Sequence, residues 1–145
     1  MARKPILVLI GIIGLAIGAS EYINGRMYIY GRLGMWLPDF FHCFSFSLIF
    51  IGVFSHSKFS RFGFCLLWFF INLLFEIGQR FGGWVSAHIP YWFGGIPVFK
   101  NTHNYFMYGR FDIFDVMAFF LGAMFAYLIS ELIIGGGYEE VKTNN

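Results

Sequence analysis

The stretch FDIFDVMAFFLGAMFAYLISELII, residues 111–134, decides the fold. Between Asp115 and Glu131 it carries no charge, and a helix needs about 20 mostly apolar residues to cross the hydrocarbon core of a bilayer. Three further segments meet the same test: Phe62–Gln79, Leu37–Phe54 and Pro5–Ile23. The expected fold is therefore all-α, a polytopic integral membrane protein. A four-transmembrane-helix bundle forms one domain over residues 1–134, and a polar C-terminal tail follows over 135–145. No tandem repeat or low-complexity stretch interrupts it.

Composition supports lipid as the solvent. A soluble domain is about a quarter charged and just under half apolar. This chain is 12% charged and 58% hydrophobic, with a mean hydropathy of +0.66. That balance excludes a water-soluble core protein. The aromatic share is 23%, with 21 Phe. Phe can face lipid tails while Trp and Tyr prefer the headgroup level, and the same surface would suit an apolar ligand or a partner subunit. The net charge of +2 comes from scattered Lys and Arg without a basic run, so no nucleic-acid partner is expected. Cys43 and Cys65 both fall inside apolar segments and read as small core residues.

Arg3-Lys4 ahead of an apolar run, with Gly18-Ala19-Ser20 after it, resembles a signal peptide, but the segment is read as a helix that stays. With the N-terminal end inside, Lys and Arg divide five on each side, so the count leaves orientation open. Arg3-Lys4 abut the first helix, which usually dominates, and the tight loop Ser55–Arg61 adds Lys58 and Arg61. Both termini are expected in the cytoplasm of a bacterial cell, in its inner membrane. The other side carries two long connections, Asn24–Trp36 and Arg80–Arg110. The second has no obvious element and is rich in Trp84, Tyr91-Trp92-Phe93, Tyr105 and Tyr108, which suits an aromatic cap at the interface.

Ionisable residues inside a spanning segment are costly and by default face the bundle interior. On the third segment Asn72, Glu76, Gln79 and Arg80 share one face of under about 100°. On the fourth, Asp112 and Asp115 head a small-residue stripe of Ala118, Gly122 and Ala126 within an arc of roughly 120°. On the second, Pro38-Asp39 opens the helix and His42 and Cys43 follow one turn below. The second segment starts, the third ends and the fourth starts on one side of the bilayer. Asp39, His42, Glu76, Gln79, Arg80, Arg110, Asp112 and Asp115 thus share one level and form a polar vestibule. Arg80 or Arg110 could pair with Glu76, Asp112 or Asp115 and staple the bundle. Alternatively, these groups meet a polar headgroup.

Other constellations say less. Asp39, His42, Glu76 and Asp115 are conceivable ligands of a divalent ion, but no HExxH-type signature supports them and no metal is expected. His56, His88 and His103 read as loop or interface residues. Gly14-xxx-Gly18 on the first segment reads as a close-packing face. Glu131 is placed at the headgroups near the opposite membrane face. No nucleophile–base pair is present, Ser86-x-His88 being no triad, so no catalytic residue is assigned. No cofactor motif is present either.

The third and fourth segments resemble the VanZ-like family of bacterial membrane proteins. Glu76-x-x-Gln79 matches that family's E-x-x-Q, and Gly109-Arg110-Phe111-Asp112-Ile113-Phe114-Asp115 resembles its Gly-Arg turn and acidic opening of the next helix. Gly122-Ala123 falls where the family's Gly-Ala would fall. Phe119 stands at the position of the usual Asn, and the gap from Gln79 to Arg110 is longer than the family's. The likeness covers residues 62–134. It implies Glu76, Gln79, Arg110 and Asp115 as the family-matching polar residues. It also implies a role in the cell envelope, of the kind linked to teicoplanin-type glycopeptide resistance, without an established catalytic activity.

Two functions follow as expectations. One is a non-catalytic envelope protein binding a lipid or lipid-linked glycan in an outward-facing vestibule, where Arg80 and Arg110 favour phosphate. The other is an accessory subunit of a larger membrane complex, contacting its neighbours through the Arg80–Arg110 loop and the aromatic surface.

Overall fold

A computed structural model of the chain describes residues 3–23, 31–97 and 99–135. Its elements are α1 (Lys4–Ile23), α2 (Gly31–Phe54), α3 (Lys58–Arg80), α4 (Gly82–Ala87), a 3-10 turn (Tyr91–Gly95), α5 (Thr102–Tyr108) and α6 (Ile113–Ser130), with a π-helical turn (Glu131–Gly135). The described residues are otherwise turns. Backbone polar groups without water must be satisfied within their own segment, and apolar runs of this length accordingly coil into helices. Three helices are long and apolar enough to cross a membrane, over Gly34–Phe54, Lys58–Arg80 and Ile113–Gly135; the apolar stretch Lys4–Ser20 of α1 is shorter.

The helix α2 is central. It is the most buried of the three long apolar helices, and it packs against α1, α6 and α3. Leu7 of α1, Leu48 and Ile51 of α2, and Phe119 and Ala126 of α6 meet in the core, joined by Cys43 and Cys65 as free buried thiols. Close approach is set by glycine. A Cβ on Gly52 would stand 2.6 Å from Val8 Cγ2, and one on Gly14 or Gly18 would meet α2 at Ser45 or Phe41. A Cβ on Gly122 would lie 2.6 Å from the Phe40 carbonyl, with Ala118 and Ala126 of the same stripe buried beside it. Outward faces are apolar: Ile6, Leu9 and Ile13 on α1, Phe70 and Leu74 on α3, Phe120 and Leu128 on α6 are all exposed.

Several expected boundaries move. Pro38 does not open a helix but sits inside α2, which begins at Gly31 and takes in the end of the expected Asn24–Trp36 connection. Proline is tolerated at membrane depth because neighbours re-satisfy the freed backbone groups. Residues 24–30 of that connection and the tail 136–145 lie outside the described residues. The Ser55–Arg61 loop contracts to three residues, Ser55 to Ser57, because Ser57 and Ser60 form a reciprocal capping box that starts α3 at Lys58. The Arg80–Arg110 segment is built of short helices rather than lacking elements. Its anchor is Phe106, 8% exposed, whose ring stacks on Phe75 at 5.7 Å and fits against Gly78.

Candidate functional site

The N-terminal ends of α2 and α6 and the C-terminal end of α3 meet at one end of the bundle. Trp36 stacks on Phe114 at 4.8 Å, which ties α2 to α6. Glu76 ties α3 to α6: its Oε1 accepts from the Asp112 backbone N–H at 2.7 Å. His42 and Asn72 tie α2 to α3, with Nδ1 and Oδ1 2.9 Å apart. These three contacts join the helix ends that carry Asp39, His42, Glu76, Asp112 and Asp115.

Four carboxylates converge there. Asp39 lies within electrostatic reach of Asp115, Glu76 and Asp112, and Glu76 is 2% exposed. The expected stapling pairs do not form. Among the described residues no Lys or Arg forms an ion pair with any of the four, and Arg80 and Arg110 are exposed. What offsets the acids is the start of α6. Asp112 is its N-cap, accepting from Phe114 N at 2.9 Å, and Asp115 stands in its first turn. Glu76 takes the N–H of the cap itself. A helix N-terminus carries unpaired N–H groups and about half a positive charge, which favours carboxylates.

The cap reaches this cluster through α5. Gln79 lies against Gly109 and beside the Tyr105 hydroxyl. Burial pushes the Tyr105 phenol above its usual range; Gln79 opposes the shift, and Glu76, Asp39 and Asp115 add to it. The phenol thus sits at the edge of the carboxylate cluster. Among the described residues no three His, Cys, Asp or Glu side chains gather around a metal position, Asp39, His42, Glu76 and Asp115 included. His88 folds back on its own helix, its ring 4.4 Å from Trp84, and His56 and His103 are exposed.

The opposite end of the bundle holds the ion pair that sequence reasoning missed. Glu131 does not reach for headgroups: its Oε1 accepts from Arg61 Nε at 2.9 Å, and Arg61 is 6% exposed. Lys4 Nζ donates to the Ser55 carbonyl, and Arg3 donates to the Ile133 carbonyl at 3.2 Å. The only sequence signal was the recurrence of Arg and Lys at helix ends on that side. In comparison with known proteins, no family model, no curated protein and no solved structure matches the chain.

Proposed function

We propose that the chain is a four-helix protein of the bacterial cytoplasmic membrane, α1 being its fourth span. In this reading it resembles the VanZ-like proteins and binds a lipid or lipid-linked headgroup, without chemistry of its own, in a vestibule facing outward. The carrying observation is the convergence of Asp39, Glu76, Asp112 and Asp115 beneath an aromatic cap, with Arg80 and Arg110 exposed near the rim. Arginines in no ion pair among the described residues are available to a phosphate, which a guanidinium meets bidentately. Carboxylates further in accept from hydroxyl or ammonium groups. Tyr91, fully exposed, and Trp84, 68% exposed, suit a cap resting among headgroups.

A second reading, an accessory subunit of a membrane complex, is favoured by the outer face of α3. Phe59, Phe62, Phe70, Leu74 and Phe75 are exposed along it, a largely aromatic face that a neighbouring helix would cover. One experiment separates the two. Wild type and a Glu76→Gln/Asp115→Asn double variant are purified in mild detergent, and co-purifying lipids and proteins are identified by mass spectrometry. A specific lipid retained by wild type and lost from the variant supports the headgroup reading. A stoichiometric set of proteins, the same for both, supports the subunit reading and makes the carboxylates a structural joint.

A further inference from the structure

The seam between α2 and α3 holds an imidazole whose hydrogen-bond polarity is fixed. Asn72 is 6% exposed, and its Nδ2 donates to the Trp68 carbonyl at 2.7 Å. A carbonyl only accepts, so this bond settles which end of the amide faces His42: it is Oδ1. Oδ1 also only accepts, and His42 Nδ1 lies 2.9 Å away, so Nδ1 carries the proton. In the neutral ring Nε2 is then the bare nitrogen, an acceptor with a lone pair and no donor. No partner for Nε2 exists among the described residues, and the residue is exposed although it lies inside a spanning segment. Phe46, edge-on to the imidazole at 4.9 Å and stacked on Trp68 at 4.6 Å, holds the ring in place. An acceptor left bare at membrane depth calls for a hydrogen-bond donor.

We infer that His42 is a specificity-determining contact of the vestibule, its Nε2 accepting a hydrogen bond from a hydroxyl of the bound headgroup, with Asn72 as the positioning residue that keeps Nε2 bare. This rests on the headgroup reading and names the ligand's chemistry within it. His42 lies one turn below Asp39, about 4.5 Å deeper along α2. A glycerol hydroxyl and the first sugar of a glycolipid both offer the donor; a choline headgroup offers none.

The test uses the full chain in mild detergent and native mass spectrometry. The probe is an equimolar mixture of phosphatidylglycerol, a glucosyl diacylglycerol and phosphatidylcholine with identical acyl chains. Wild type is expected to retain one hydroxyl-bearing lipid over phosphatidylcholine about fivefold, the factor one net hydrogen bond carries. Preference for phosphatidylglycerol identifies glycerol as the source, and preference for the glycolipid identifies sugar. His42→Phe should bring the ratio to parity, with an unchanged elution volume on size exclusion reporting an intact fold. Asn72→Leu frees the ring to carry its proton on Nε2 and should at least halve the preference; it decides the matter should His42→Phe not fold. A preference unchanged in either folded variant, or absent from wild type that still retains lipid, overturns the role of His42 and leaves the vestibule reading standing. Wild type retaining none of the three overturns both.

Discussion

Glu131 and Arg61 meet across the seam of α6 and α3, 70 positions apart in the chain, and this contact does what Arg80 and Arg110 were expected to do at the other end. The side chain of Arg61 is 7% exposed and that of Glu131 24%, so the guanidinium depends on its partner. Removing one member of a buried pair leaves an uncompensated charge, a loss of about 3–5 kcal/mol. Glu131→Gln is therefore expected to lower the thermal midpoint of the detergent-solubilised protein strongly, and an Arg61→Met/Glu131→Leu double change to recover much of it. Fluorescence-detected size exclusion after heating reads both; a single change without effect would make the pair incidental. Which Arg pairs with which acid was not legible in the sequence. The pairing turns on which helices become neighbours, and the acids near Arg80 and Arg110 are served by the N-terminus of α6 instead.

At the scale of elements, two helix–helix seams are set by how near two backbones come, α1 with α2 and α2 with α6. The seam of α2 and α6 turns on Gly122, where a Cβ would stand 2.6 Å from the Phe40 carbonyl and 3.1 Å from Phe44 N. Both are backbone atoms, so Gly122→Ala must part the two helices, and overpacking of this kind costs about 1–3 kcal/mol. Gly63 on α3 supplies the control, since nothing lies within 4 Å of its Cβ position. Gly63→Ala should leave stability unchanged or raise it by up to about 1 kcal/mol. Equal midpoints for the two variants, measured in one detergent, would contradict the close contact. Here the sequence was informative: small residues at helical spacing marked Ala118, Gly122 and Ala126, and Gly14 and Gly18, and those positions face α2. Helix starts were less so. Pro38 reads as a start signal, yet the apolar surroundings let α2 run through it; the Ser57–Ser60 box was the signal for α3 and lies within what reads as loop.

Over the whole molecule the two ends differ in kind. One is tight: a three-residue turn from Ser55 to Ser57, with Arg3, Lys4 and Arg61 each bound to a carbonyl or carboxylate. The other carries four carboxylates and a cap of short helices held by Phe106. Segment lengths made this asymmetry legible, because alternating long and short connections between spanning runs put both long ones on one side. The folding of the cap was not legible, since Phe106 reaches Gly78 and Phe75 through chain that carries no long periodic pattern. The asymmetry yields a prediction of orientation. The count of cations is equal at the two ends, but Arg3 and Lys4 abut the first helix, which usually dominates, so the tight end should face inward and the cap outward. With Cys43→Ala and Cys65→Ala as background, His56→Cys and Tyr91→Cys place single thiols at exposed positions of the two ends. In intact spheroplasts a membrane-impermeant maleimide should label the thiol at position 91, and the one at position 56 only after permeabilisation. The reverse pattern would turn the carboxylates toward the cytoplasm. A headgroup presented on the outer leaflet could not then be the ligand, whereas a joint between subunits would be unaffected by the inversion.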